Sequence, residues 1–530
     1  MPNISKWLWR TGLCAIAAIW LYLLINFIFP GEDYRKIDNN STHGNIISLK
    51  AITIGEPPEE GMDLLYEKLD ALTIPELGCI LRFDFIPWGD ERKQINIATA
   101  SGEYDYIPGG VFSDYRTLVS KNAFLDLNDY LSLVPELVNH YNAFRTDTLQ
   151  RCEINGGLYG LPQYSEGGLK NIGEGFFYRE DLRKEWGLAP ITNLDTMEAY
   201  LYRAKQEEKY KDEALITDNR IWISLWVLLS KGRYLEIFSA METPFAVVEA
   251  DNPGVVVSRI DTPEFKEVIR YIRKWYEDGI IASDMLVASD NEGTKGLNLM
   301  IADNKPCETN VPIWSCSSGY IPKLYSANPS WEFSFFDYNL YSSKLYLGTL
   351  AANSVISVSS KTSNPEIAVR LLEKLHTDRR YYNLLHYGVM GLHYEISEGA
   401  ITYDYIPTNH YFAGWTASSD DTLNYKTVSV NPEWQKFIDE YDAVLLKESE
   451  TAEYYPLDSF NFNTAGILKT VNKLEEVKKE SFQKLICGVV EDYEKGIADL
   501  SEGLKRSGLN AYLDKLQSQL TKFLQDKRIK

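Results

Sequence analysis

The fold turns on ILRFDFIPWGDERKQINIATASGEYDYI, Ile80–Ile107. ILRFDFI alternates apolar and polar residues and reads as a strand. Pro87–Asp90 makes a turn, ERKQINIATASG a helix, and YDYI a second short strand. Working upstream, SLKAITIG (Ser48–Gly55) alternates and closes on a glycine, and MDLLYEKLDAL (Met62–Leu72) repeats leucine with helical spacing at Leu64, Leu65, Leu69 and Leu72. Downstream, VFSDYRTLVSKNAF (Val111–Phe124) reads as another helix. Strand, helix, strand, helix, strand predicts a parallel sheet within an α/β domain. In open sheets of this type ligands gather outside the carboxyl ends of the strands. Those ends are Gly55–Glu60, Pro87–Asp90 and Pro108–Phe112.

Beyond this unit, GGLYGLPQYSEG (Gly156–Gly167) is glycine-rich and reads as an extended crossover outside the core. FFYREDLRKEWGL (Phe176–Leu188) fits a strand feeding a helix. DTPEFKEVIRYIRKWYEDG predicts a helix capped by Asp261 or Thr262, with Pro263 in its first turn, Gly279 at its end, and an apolar face of Phe265, Val268, Ile269, Ile272 and Trp275. NPEIAVRLLEKLHTDRRYYNLLHYG predicts one helix from Pro365 to Gly388, capped by Asn364. Near the end, Leu509, Tyr512, Leu513, Leu516, Leu520 and Phe523 form one stripe that needs a docking surface.

The 530 residues are too many for one simple core and predict two or three lobes. Hydrophobic residues at 45% and charged residues at 24% exclude a disordered chain. A formal net charge of -21 repels phosphate backbones and argues against nucleic-acid binding. Thr11–Phe29 carries no charge and follows Lys6 and Arg10, so the reading is a membrane-spanning helix with its basic flank in the cytoplasm. FIFPGED offers no small-residue cleavage site, and Leu13 before Cys14 does not suit lipid attachment, which favours an uncleaved anchor. Residues 31–45 then form a polar linker, and the remainder lies outside the cytoplasm. None of the six cysteines forms a CxxC pair; Cys307 and Cys316 are either a bridge or two buried thiols.

GxSxG, HExxH, the GxxxxGK[ST] loop, the dinucleotide-binding glycine pattern and the calcium-loop pattern are absent. No spacing singles out a catalytic carboxylate pair. The expectation is a protein without enzymatic activity, cofactor or metal. What stands out is an inventory of aromatic and polar residues, Trp88, Trp222, Trp226, Trp314, Tyr164 and Trp415 among them. Flat aromatic faces stack on the apolar faces of sugar rings, and Asp, Glu, Asn and Arg satisfy the hydroxyls. Trp226, inside WISLWVLL, reads as a core residue.

Five stretches in this order resemble the extracellular solute-binding proteins of carbohydrate-type ABC importers, in particular large lipoprotein-like members with an extended C-terminal region. They are Ile86–Ile107, Ile154–Gly168 with Phe176–Leu201, Glu264–Ile281, Asn364–Ile396 and Arg506–Phe523. The resemblance implies a two-lobed α/β fold of the periplasmic-binding-protein type II, preceded here by the N-terminal helix. It implies a first lobe at 46–160 plus 348–395, and a second at 161–347 plus 396–530 with a C-terminal helical extension. It implies a monomer that binds a sugar, an oligosaccharide or another polar solute between its lobes and delivers it to permease subunits in the membrane. The ligand-contact residues it implies, together with the aromatic inventory, are Trp88, Asp90, Phe112, Tyr115, Tyr164, Glu166, Trp222, Trp314 and Trp415. Presentation of the solute to a membrane sensor kinase, a glycoside hydrolase and a purely structural surface protein are the competing readings.

NLLHYGVMGLHYEI, Asn383–Ile396, holds two of the six histidines. Gly388 separates His386 from His393, so they share no helical face and do not read as a metal pair. The stretch reads as a helix stop, a turn at Gly391 and an inter-lobe crossover.

Overall fold

The computed structural model describes residues 46–529 except 56, 59, 88–90, 111, 114, 145–147, 155, 164–173, 241–242, 288–291, 342–344, 348–353, 398–399, 403–422, 424, 430, 458–459 and 461. The expected N-terminal anchor therefore lies outside the described residues. Among the described residues no helix is long and apolar enough to cross a membrane.

Strands β1 (Ile47–Ile54), β2 (Cys79–Ile86) and β3 (Tyr106–Gly110) fall where alternation placed them. β1 runs parallel to β2 in register from Ile47 opposite Cys79 to Ile54 opposite Ile86, and parallel to β3 on its other side. The strand Ser354–Val358 returns antiparallel to β3 and carries the two-residue β4 (Leu161–Pro162) on its far edge. The five-stranded order is thus β2, β1, β3, Ser354–Val358, β4. The crossover glycine stretch is more deeply built in than its composition suggested, because Leu158 and Leu161 are each 1% exposed and pack in the core. In the helix Met62–Leu77 the buried stripe is Leu65, Leu69 and Leu72, while Leu64 lies on the solvent side. Its spacing from Leu65 puts it a quarter-turn off the stripe.

The helix expected to run unbroken from Pro365 to Gly388 is two helices, Pro365–Thr377 and Arg379–Tyr387. Asp378 has extended backbone angles, and its carboxylate accepts the Arg380 N–H at 3.0 Å. A short acidic side chain that bonds the backbone ahead of it competes with the helical ladder and starts a new helix instead. Gly388 ends the second helix at φ +81°. Beyond it His393 acts as a clamp. Its Nδ1 accepts the Val389 N–H at 2.8 Å, which leaves Nε2–H to donate to the Glu60 carbonyl at 3.0 Å. The histidine thus ties the turn to the loop that follows β1. Among the described residues no group of His, Cys, Asp and Glu is placed to hold a metal. Ile401 packs on this first core, as do Leu423 and Tyr425, so the core draws on residues past 395.

His376 is fully buried, with Nδ1 donating to the Leu372 carbonyl at 2.7 Å. Burial pushes its pKa down from 6.5 to about 4. The unfolded chain therefore takes up a proton between those values that the folded chain refuses. The stability this residue confers is complete above 6.5 and is lost as pH falls towards 4, by about 3 kcal/mol in all. The urea midpoint is expected to drop between pH 7 and pH 4.5, and to drop less in His376→Asn.

The second core is larger. Strand β5 (Glu174–Arg179) lies antiparallel between Cys307–Pro312 and Phe333–Asp337. The helix Pro263–Glu277 starts as read, with Thr262 Oγ1 accepting the Phe265 N–H at 3.2 Å and Pro263 at its first position. Phe265, Val268, Ile269, Ile272 and Trp275 are all buried. Cys307 and Cys316 are both buried free thiols, which settles the open pairing. Trp226 is a core residue at 2% exposure. The C-terminal stripe finds its surface here: Leu509, Tyr512, Leu516 and Leu520 join the second core, with Leu513 and Phe523 packed against it.

Candidate functional site

Because β5 is antiparallel to both neighbours, Cys307–Pro312 and Phe333–Asp337 run parallel, and both end at the sheet edge where β5 begins. A cavity of about 580 Å³ opens at this edge. That is within the range of about 300–1,000 Å³ typical of small-molecule sites. Glu174, Pro312, Tyr338 and Asn339 come from the strand ends. Asn219, Arg220, Trp222 and Ser224 come from the start of the helix Ile221–Ser230. Glu236 and Arg259 form a further side, and Lys478, Phe482, Gln483 and Ile486 complete it from the C-terminal region.

Several of the charged groups are held by neighbours, while Tyr338 OH and Arg259 Nε are buried without a hydrogen-bond partner among the described residues. Arg220 grips Asp218 through Nε at 2.7 Å and Nη2 at 2.5 Å, and donates to the Asn310 carbonyl at 3.3 Å. Its charge also faces Glu174 at 4.0 Å. Desolvation pushes the Glu174 carboxyl up; Arg220 opposes this, and Asp218 and Asp337 add to it. Half of the Glu174 side chain still faces open space, so the desolvation is partial. Arg259 is 2% exposed and ion-paired with Glu236. Its guanidinium lies 4.6 Å from the Trp226 ring centre and 5.3 Å from that of Trp222, so two aromatic faces and a carboxylate stabilise the buried charge.

Asn310 sits at φ +56° within its strand. Asparagine tolerates this left-handed conformation better than most residues, and such strain gathers at functional sites. The Ser224 hydroxyl donates to Asn310 Oδ1. Asn310 Nδ2 and Thr309 Oγ1 are buried without a hydrogen-bond partner among the described residues. Just below lies a buried pair: Lys305 Nζ donates to both Glu308 oxygens at 2.9 Å, with side chains 0% and 4% exposed. Burial pushes the Glu308 carboxyl up and Lys305 pulls it back. A Cβ on Gly296 would lie 1.7 Å from Glu308 Oε2, so the neighbouring helix can pass only as glycine there.

Of the residues expected to contact ligand, Trp222 lines this cavity, 8% exposed, with its ring edge-on to Phe482 at 5.3 Å. Trp314 is on the short helix Ile313–Ser315, immediately after the cavity residue Pro312. Phe112 is half-buried against a further first-lobe core that includes Ile52, Ile107 and Val355. Tyr115 is buried in that core at 4% exposure, packed on Phe124, and is not among the cavity residues. Trp88, Asp90, Tyr164, Glu166 and Trp415 lie outside the described residues. Sequence reasoning passed over Glu174, Arg220, Arg259, Tyr338, Lys478 and Gln483. Arg220 carried a signal, since it opens the helix that holds Trp222. The others meet only through tertiary packing.

Comparison with known proteins bears out the resemblance. The chain is 24% identical over 489 residues to a carbohydrate ABC transporter substrate-binding protein of Streptococcus pneumoniae serotype 4, covering 91% of each chain. The crystal structure of the N-glycan transport solute binding protein NgtS from Streptococcus pneumoniae superposes with a TM-score of 0.70 at 20% identity, covering 91% of this chain and 100% of that one. The complex of NgtS with Man5GlcNAc gives 0.66 at 21% identity, covering 91% and 99%. Residues 456–525 match a family described as a domain of unknown function, DUF3502. The fold is therefore the two-lobed α/β fold of solute-binding proteins.

Proposed function

We propose that this protein is the extracytoplasmic solute-binding component of an ABC transporter. It holds a sugar or oligosaccharide between two lobes and passes it to permease subunits in the membrane. The observation that carries this is the similarity over 91% of the chain to a carbohydrate transporter component, and the second-lobe cavity at the carboxyl ends of two parallel strands, lined by aromatic rings and hydrogen-bonding groups, supplies that lobe's half of the site. NgtS, of the same fold, has been solved with Man1GlcNAc and with Man5GlcNAc. Its work is binding coupled to closure, not catalysis.

The first lobe is 46–162 with 348–395, with the strands up to Val428 resting on it. The second is 163–347 with the C-terminal region, because Leu161–Pro162 is the edge strand of the first-lobe sheet. The order β2, β1, β3, Ser354–Val358, β4, with its one reversed long strand, supports the type II arrangement. Trp222 and Trp314 belong to the second-lobe wall of the site, Trp88, Asp90 and Phe112 to the first-lobe side, Tyr164 and Glu166 to the crossover, and Trp415 to the later connection; Tyr115, buried in first-lobe packing, supports that side from behind. Thr11–Phe29 holds the monomer to the membrane.

A panel of oligosaccharides in a thermal-shift assay tests this reading. At a hundredfold excess over Kd, a ligand adds about 2.7 kcal/mol of stability. The same ligand is expected to shrink the radius of gyration in small-angle scattering. A panel without any hit, or a hit that hydrolyses, overturns the assignment.

A further inference from the structure

We propose that Arg116 is a positioning residue that sets the balance between open and closed lobes, by docking on the C-terminal region. The proposal rests on the reading above only in that closure is taken to accompany binding. Arg116 stands in the short helix Tyr115–Ser120, directly after β3. Its neighbours Tyr115 and Val119 are buried in first-lobe packing with Ile52, Ile107 and Val355. Its guanidinium leaves that lobe. Nη1 donates to the Phe462 carbonyl at 3.0 Å and to the Ser239 carbonyl at 3.3 Å. Phe462 and Ala240, next to Ser239, belong to the second core.

The landing site is itself braced. The Phe462 N–H donates to Ser239 Oγ at 3.0 Å. Gln519, on the long helix Leu509–Ile529, brackets the next residue: its Oε1 accepts the Asn463 N–H at 2.9 Å, and its Nε2 donates to the Asn463 carbonyl at 2.8 Å. The Phe462 ring packs edge-on against Tyr512 of the same helix at 5.2 Å. Two carbonyls from different parts of the second lobe are thus held at one point, facing a first-lobe cation. Charge-assisted hydrogen bonds fail beyond about 3.5 Å, so a hinge motion of a few ångströms at this point breaks both. The C-terminal region then influences affinity without touching the ligand, because apparent affinity scales with the fraction of the chain already competent to close.

The test measures lobe separation without any sugar. Spin labels at Glu67→Cys and Lys266→Cys, one on each lobe, are placed in the full chain with Cys14→Ser, and their distance is read by pulsed electron paramagnetic resonance. Arg116→Ala is expected to shift the closed-to-open ratio at least tenfold away from the lobe separation in which these bonds form, and Arg116→Lys, which keeps the charge but not the planar fork, by less. Circular dichroism and a cooperative melt check that each variant is folded, and Arg116→Lys carries the test should the alanine variant fail to fold. For an oligosaccharide that binds, Kd is expected to change in inverse proportion to the competent fraction. Distance distributions identical to the parent's in a folded variant overturn the latch and leave the sugar reading standing. Shifted distances in a protein that binds no sugar support the latch and overturn the sugar reading.

Discussion

Glu308→Ala is expected to lower the stability of the protein by about 3–5 kcal/mol, read as a fall in the urea midpoint at constant slope. The reason lies in what is left behind. The Lys305 ammonium is 0% exposed and has both Glu308 oxygens at 2.9 Å. Without the carboxylate its remaining side-chain acceptor among the described residues is Thr217 Oγ1, at 3.4 Å. A buried cation with one weak neutral partner either unfolds the strand around it or sheds its proton, and both are costly. The Thr309 N–H, which donates to Glu308 Oε1 at 3.2 Å, loses that acceptor as well. The double variant Lys305→Met with Glu308→Leu removes both charges at similar volume and is expected to recover most of the loss. A single-variant cost under about 1 kcal/mol, the range of exposed pairs, would show that water reaches the site. Glu308 sits two residues before the strained Asn310. A loosened pair is therefore expected to weaken ligand binding as well, in excess of the change in folded fraction.

The sequence carried much of this architecture and little of this detail. Alternation in Ser48–Gly55 and Ile80–Ile86 placed two strands, because one strong period and a closing glycine or proline leave few alternatives. The Pro263 helix was readable to its cap and its buried face, because Thr262, Pro263 and five apolar residues at helical spacing all agree. Asp378 broke the next helix because an aspartate in mid-pattern either faces solvent or caps a new helix, and only tertiary packing of Tyr381 and Leu385 decides which. For the site, the aromatic inventory included Trp222, which lines the cavity, and Trp314, which is on the short helix that follows Cys307–Pro312. The charged lining was not legible. Arg259 lies 33 positions beyond Trp226 in the chain and Phe482 260 beyond Trp222, and nothing local in such residues reports a partner that far away.

Ending the chain at Tyr455 is expected to abolish the fold of the second lobe, not to trim an appendage. Residues 456–525 match a family model of their own, which invites the view that they form a separable module. The packing opposes that view. Leu474, Phe482, Leu500, Leu504, Leu509, Tyr512, Leu516 and Leu520 are each at most 1% exposed, and they share one core with Trp222, Phe245 and Phe265. Phe482 stacks on Phe265 at 6.0 Å and stands edge-on to Phe245 at 5.6 Å. Each such side chain contributes about 1.5–3 kcal/mol on burial, so together they match or exceed the about 5–15 kcal/mol that holds a typical domain folded. The truncated chain also loses one wall of the cavity and the Phe462 carbonyl that receives Arg116. Gel filtration and near-ultraviolet circular dichroism are expected to show aggregation and loss of fixed aromatic packing. Leu516→Ala, a far smaller injury to the same surface, is expected to cost about 2–5 kcal/mol and leave a folded protein. A truncated chain that stays monomeric, melts cooperatively and still binds its sugar would make the C-terminal region an independent passenger; the shared core predicts that no such species can be isolated.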